Sequence, residues 1–410
     1  MNPSEEANSP VVIIGSGLAG YTVAKELRRL DREVTIDIIT QDDGAYYSKP
    51  ALSNAFATRK TPEQLPLRSF TQMEQELNVR VFHHTAVSSI HTHTQQIVTS
   101  RGSSTYSSLV MAVGSESIRI PNTSSESRLT WTVNDLNDYG NFRRAISGKK
   151  RIVIIGAGLV GCEFANDLAL AGYEVDVVDR GAWPLERFVR QEMGHLLMQA
   201  LSKLGINWHF GCEMAGLTAS QNGHVLTLSD GTILQADAVL EAIGVRPRTQ
   251  LARESGLAVS KGIVVNASLQ TSARNVYAVG DCAEVDGEWQ PFIAPLMQAA
   301  RVAALNIMGQ ATPLRNAPAV VTVKTPSCPI MVAQSQFSRS GEWRFTPTRD
   351  GGVAELLEGN ILRGFALIGD TMGDKAKWMA RLNTEVVVGG DLTAQVEQHV
   401  LAHQLHTART

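Results

Sequence analysis

The chain has 410 residues, 43% of them apolar and 19% charged, and a formal net charge of −3. That length suits two or three domains with substantial cores, the charge balance gives no reason to invoke nucleic acid, and no apolar run approaches the roughly 18 residues that span a bilayer. The opening MNPSEEANSP is polar and acidic, unlike a secretory signal, so the expected location is cytoplasmic with no membrane insertion.

Residues 11 to 20, VVIIGSGLAG, join a β-branched run to Gly-x-Gly-x-x-Gly, ahead of a helix-like YTVAKELRRL. This predicts a strand, a tight turn and a helix. Gly15 permits the bend, Gly17 lets backbone approach a pyrophosphate, and Gly20 lets the helix pack on the strand. The helix start then offers free amides and a positive dipole end to phosphates. The next strand, TIDIIT, puts Thr40 where a ribose-binding acid is expected. Either Asp42 or Asp43 supplies the missing carboxylate, or Thr40 and Gln41 hold the ribose.

In AYYSKPALSN, Ser48, Pro50 and Ser53 predict a turn that starts a helix, with Lys49 on a polar approach. Solvation is the commoner fate of such a lysine. His83 with His84, and His91 with His93, are candidate metal pairs, yet neither has cysteines or a dense carboxylate set nearby, so no metal site is expected. SSLVMAVGS reads as another strand feeding a glycine turn at Gly114, and LNDYGNFRRAISGKK leads into a second unit.

That unit, IVIIGAGLVG at residues 152 to 161, repeats the first pattern, so that Gly156, Gly158, Leu159, Val160 and Gly161 form a second cradle before the helix CEFANDLALA. Its following strand, YEVDVVD, closes on Asp179, where a carboxylate accepts both ribose hydroxyls of NAD and repels the 2′-phosphate of NADP. Arg180 beside it suits a phosphate; on balance NADH is favoured. Two cradles imply two dinucleotides.

Further along, DAVLEAIG reads as a buried strand running into Gly244, a further cofactor candidate, and NVYAVG delivers Asp281 at a strand's carboxyl end. Ligands gather there in open α/β sheets, and such an acid suits a ribityl chain; a turn aspartate is the structural alternative. APLMQAARVAALNIMG predicts a largely buried helix ending at Gly309, its positive end suited to a flavin pyrimidine edge. From about residue 319, AVVTVKT, PIMVAQ, EWRFTP, GVAELLE and LRGFALIG predict an antiparallel sheet, with a tail helix from about 391 carrying His399, His403 and His406 on one face. Cys162, Cys212, Cys282 and Cys328 are far apart, so they read as buried thiols, and a flavin disulfide reductase is disfavoured.

The ordered set formed by GxGxxG, a strand ending AVGS, GxGxxGxE and TxxxxxYAxGDCAE resembles the two-dinucleotide-binding flavoprotein reductases of the glutathione reductase fold, over nearly the whole chain. The resemblance implies an α/β protein of two Rossmann-like three-layer ββα dinucleotide-binding domains plus a C-terminal α+β domain. The FAD domain would comprise 1–115 and 245–318, the NADH domain 116–244, and the C-terminal domain 319–410. Within that superfamily, AYYSKPALS, GCEFANDL, GDCAEVDG and VTVKTPSCP look like the rubredoxin–NAD reductase family, flavoproteins of bacterial alkane hydroxylation.

What this resemblance implies is a reductase with FAD and NADH as cofactors and rubredoxin, a small acidic iron protein, as electron acceptor. It carries over Gly15, Ser16, Gly17, Leu18 and Ala19 as pyrophosphate and adenosine contacts, and Lys49, Val87, Glu163, Asp281, Ile293 and Lys324 as groups around the FAD and the nicotinamide pocket. Lys49, Glu163 and Lys324 are the implied catalytic groups. Related ferredoxin reductases have a lysine right after LS, where this chain has Asn54, which makes Lys49 the expected partner of Glu163. A ferredoxin reductase of an oxygenase system shares every dinucleotide motif and is the nearest alternative. An NADH oxidase or peroxidase would need a redox cysteine after the first unit, and residues 40 to 60 contain none. A signalling flavoprotein like the relatives of apoptosis-inducing factor is the alternative from another class.

Overall fold

A computed structural model describes residues 9–121, 130–221, 223–315, 319–334 and 341–384. Strand Val11–Ile14 lies at the centre of a five-stranded parallel sheet, flanked by Ile36–Ile39 on one side and Ser108–Met111 on the other. Arg80–Phe82 and Val276–Ala278 form its edges. All four residues of Val11–Ile14 and of Ile36–Ile39 are buried, because covering both faces of a parallel sheet replaces alternation by continuous apolar runs. Helices Leu18–Leu30 and Ile293–Ile307 pack together against this sheet. Ile90 and Ile97, from an antiparallel three-stranded meander, join the same core.

The second unit repeats the plan. Arg151–Ile155 pairs in parallel with Glu174–Asp179 and Ala238–Glu241, and Asn207–Phe210 and Thr130–Trp131 complete five strands. Its meander, Met214–Ser220, Gly223–Leu228 and Ile233–Ala236, buries Leu217, Leu226 and Leu228 against Val153, Ile155 and Val239. Helix Leu159–Leu170 turns its apolar residues to the opposite face, against Ile152, Ile154 and Leu240. Each unit is thus a three-layer ββα arrangement of Rossmann type. Ser115–Ser117 and Val245–Pro247 pair antiparallel where the chain leaves the first unit and returns to it.

The last sheet is wholly antiparallel, in the order Ala319–Val323, Ile330–Gln334, Ile361–Gly369, Gly351–Glu358, Glu342–Pro347. Its period of two is visible in the packing. Ile330, Val332, Ala354, Ala366 and Ile368 enter the core shared with the second unit, whereas Met331, Val353, Phe365 and Leu367 face Trp378 of helix Lys375–Arg381. All five strands expected here are formed, and the expected tail helix with His399, His403 and His406 lies outside the described residues.

Candidate functional site

The two glycine turns are built alike. Gly15 and Gly156 sit at φ +111° and +112°, a region that disfavours side chains, and a Cβ on either would strike the carbonyl of Ala112 or Ala242 on the neighbouring strand. A Cβ on Gly20 or Gly161 would strike the carbonyl of Gly15 or Gly156, which is how each helix sits so close to its strand. By contrast Gly17 and Gly158 face open space, and each caps a helix start with no side-chain hydrogen bond to its free amides. These two cradles fit a diphosphate: backbone donors, a positive dipole end and room where a Cβ would stand.

Around the first cradle, Ser16 donates to Thr40 Oγ1 at 3.0 Å and to Asp42 Oδ1 at 2.9 Å. Thr40 and the Gly44 amide also donate to that oxygen, at 2.6 and 2.9 Å, so Asp42 is committed to the turn through Oδ1. Asp43 caps the Ala45 amide, and Gln41 is exposed beside them. At the second cradle Asp179 accepts the amides of Ala157 and Gly181, both at 2.6 Å, which fixes the carboxylate at the mouth of the glycine turn. Arg180 is drawn to Glu213 at 3.6 Å, both side chains well exposed.

A second group gathers where the return strand re-enters the first sheet. Asp281, in the turn after Val276–Ala278, accepts Ser115 Oγ at 2.9 Å, and Lys49 Nζ stands 3.8 Å away. Desolvation pushes the Lys49 ammonium below the usual lysine range against the opposing pull of Asp281, and its side chain is 40% exposed. Asn134 Nδ2 ties this group to the crossing strand through the Ser115 carbonyl at 2.7 Å. Ile293 and Met297 are exposed at the uncapped start of helix Ile293–Ile307, as is Val160 at the second cradle. Val87 begins the first meander, and Gly244, at φ +118°, accepts the Ile118 amide.

The third group corrects an expectation. The partner of Glu163 is Lys324, with Nζ 2.6 Å from Oε2, and not Lys49, which is turned to Asp281. The reason is backbone placement: strand Ala319–Val323 delivers residue 324 against helix Leu159–Leu170, so that the Lys324 amide also donates to Glu163 Oε1 at 2.9 Å. Ser53 donates to the same carboxylate at 2.5 Å. Three and four positions further along the same helix face, Asn166 accepts the Ser327 amide at 3.3 Å, and Asp167 accepts the amides of Phe56 and Ala57 at 2.9 and 2.8 Å. Ser115, Asn166 and Asp167 have no role in the sequence reading, and Ser53 enters it only as a turn residue. The available signal was Glu163, Asn166 and Asp167 at i, i+3 and i+4 in an otherwise apolar helix.

All four cysteines are free and buried, and burial pushes the Cys162 thiol far up and the Cys282 thiol up to about 11. The His83 ring lies against Phe70, with His84 edge-on to it, and among the described residues no group of three or more metal-ligating side chains is assembled.

Residues 9–304 match the pyridine nucleotide-disulphide oxidoreductase family, and the chain belongs to it. Residues 313–382 match a second family, described as the rubredoxin binding C-terminal domain. More particularly, the chain is 39% identical over 373 residues to the rubredoxin-NAD(+) reductase of Alcanivorax borkumensis, covering 90% of this chain and 97% of that one. It is 37% identical over 387 residues to the rubredoxin-NAD(+) reductase of Acinetobacter baylyi, covering 92% and 98%. Among solved structures, the covalent putidaredoxin reductase–putidaredoxin complex aligns with a TM-score of 0.85 at 26% identity, over 96% of this chain and 99% of that one.

Proposed function

We propose that the protein is an FAD-dependent reductase that takes hydride from NADH and passes single electrons to rubredoxin, as in bacterial alkane hydroxylation. The observation that carries this reading is the doubled cradle: two uncapped helix starts with the same three-glycine packing, in a chain matched by a reductase family and a rubredoxin-binding family. FAD, when bound, accepts an electron pair and releases electrons one at a time.

The chain's own residues bind, orient and supply charge. In this reading 1–115 and 245–318 hold FAD, 116–244 holds NADH, and 319–410 faces the acceptor. Gly15, Ser16, Gly17, Leu18, Ala19 and Gly20 would receive the FAD diphosphate, Thr40 and Gln41 its adenosine, and Val87, Asp281 and Ile293 the rest of the cofactor. Gly156, Gly158, Leu159, Val160 and Gly161 would receive the NADH diphosphate, Asp179 its ribose, and Gly244 the nicotinamide end. With Arg180 drawn to Glu213, the carboxylate of Asp179 governs the choice of NADH over NADPH. Lys49 and Lys324 set positive charge in the pocket, which lowers the energy of an added electron pair in a low-dielectric cleft. Glu163 holds Lys324 and is available to orient a carboxamide.

A cytoplasmic setting belongs to this reading, since four free thiols suit a reducing compartment. Among the described residues no helix is long and apolar enough to cross a membrane. The likeness to the putidaredoxin reductase complex favours a second reading, a reductase serving a ferredoxin of an oxygenase system. Steady-state rates with each donor and acceptor in turn decide between them. NADH with rubredoxin should be the fastest pair, and faster reduction of a [2Fe–2S] ferredoxin would favour the second reading.

A further inference from the structure

We infer that Ser53 is a positioning residue for the reductive half-reaction, acting through Lys324 and Glu163; this rests on reading those two as members of the hydride site. The Lys324 ammonium meets three acceptors: Glu163 Oε2 at 2.6 Å, the Pro50 carbonyl at 2.6 Å and Ser53 Oγ at 3.0 Å. That is the full donor capacity of a lysine. A lysine held by one ion pair at a protein surface keeps its rotamer freedom and gains little, whereas three converging acceptors fix the head group.

Ser53 is the member that closes the cluster. It is 5% exposed, accepts from Lys324 and donates its own proton to Glu163 Oε2 at 2.5 Å. A hydroxyl can do both at once, which a methyl cannot. The neighbouring Asn54 takes no part, its Nδ2 being buried without a hydrogen-bond partner. The three partners come from the helix Lys49–Asn54 of the first unit, the helix Leu159–Leu170 of the second, and the segment that follows strand Ala319–Val323. Residue 324 lies within the span matched to the rubredoxin binding domain.

The test is a double-mutant cycle on the full-length flavin-loaded protein, with Ser53→Ala, Lys324→Met and both together, and with Ser53→Thr as the rescue. Two readouts are taken: the single-turnover rate of flavin reduction by NADH with no acceptor present, and the thermal unfolding midpoint. Ser53→Ala is expected to slow flavin reduction on the order of tenfold, a coupling of about 1.4 kcal/mol, with NADH affinity unchanged. Ser53→Thr restores the rate. In the Lys324→Met background, Ser53→Ala is expected to change the rate no further, while the midpoint falls by the lost hydrogen bond to Glu163 alone. Equal losses from Ser53→Ala in both backgrounds would overturn the inference. So would a Lys324→Met protein that is slow only toward rubredoxin. A wild-type flavin that NADH fails to reduce would instead remove the underlying reading, a result separable from both.

Discussion

A single methyl group tests each cradle on its own, because Gly17 and Gly158 are the glycines of the two turns whose missing side chains face open space. Both also have ordinary extended backbone, at φ −68° and −76°. Gly17→Ala is therefore expected to fold with the melting midpoint of flavin-free wild type and to be purified with little or no flavin. Gly158→Ala should retain its flavin, read from the visible spectrum, and lose NADH affinity by at least about tenfold, or roughly 1.4 kcal/mol. The same substitution at Gly15 or Gly156 meets a backbone carbonyl at positive φ and is expected to destabilise the fold itself by roughly 1–3 kcal/mol from conformation alone. Full flavin occupancy in Gly17→Ala would contradict the assignment of that turn. These residues were legible in the sequence because the turn's chemistry is local: three glycines within six positions carry the whole motif.

Element boundaries were legible where period and punctuation agree. The five C-terminal strands are short β-like runs spaced by turn residues, and the two βαβ openings run from β-branched strands through glycine to helix. The two-residue strands Tyr46–Tyr47 and Thr130–Trp131, and the crossing strands Ser115–Ser117 and Val245–Pro247, are too short to show a period and exist through tertiary pairing. At this scale Arg28 pins the end of helix Leu18–Leu30, its guanidinium donating to the carbonyls of Leu77, Asp31, Arg32, Val34 and Asn78. Arg28→Met leaves these acceptors without their charged donor and should cost roughly 2 kcal/mol in denaturant unfolding.

Asp237 locks the start of the central strand of the second unit. Burial alone would raise its carboxyl, but the Arg151 guanidinium and the amides of Arg151 and Lys150 hold it well below the usual aspartate range. A depressed folded value means that this stabilisation is present above the unfolded value of about 3.9 and is lost as pH falls toward the folded one. Asp237→Asn should thus melt lower than wild type at neutral pH, with the gap closing as pH drops below about 4. A gap unaltered by acid would show that the carboxylate's charge is not the cause.

Across the whole molecule, what stayed hidden in the sequence was partnership. The phrases GCEFANDL and VTVKTPSCP are distinctive separately, and the structure shows why they occur together: Glu163 and Asn166 of the first bond Lys324 and Ser327 of the second, 161 positions away in each case. No local pattern reveals which of two lysines will meet a given carboxylate; that follows from the sheet that carries residue 324 to the helix. One apolar core draws on all three parts of the chain, with Leu52 and Phe56, Phe164 and Leu168, and Ile330 and Ile368 in the same cluster. With an acceptor as acidic as the resemblance implies, a basic rim is expected on the face that docks it, despite the net charge of −3. Rubredoxin reduction should therefore slow as ionic strength rises, while flavin reduction by NADH does not. A salt-independent rate with rubredoxin would exclude such a rim.

The most direct test is an anaerobic titration of the purified protein with NADH followed by oxidised rubredoxin, read from the flavin spectrum. The flavin colour should bleach with one equivalent of NADH and return as rubredoxin is reduced, two molecules for each NADH consumed. A protein purified without flavin, a colour that NADH does not bleach, or a bleached flavin that rubredoxin cannot reoxidise would contradict the account.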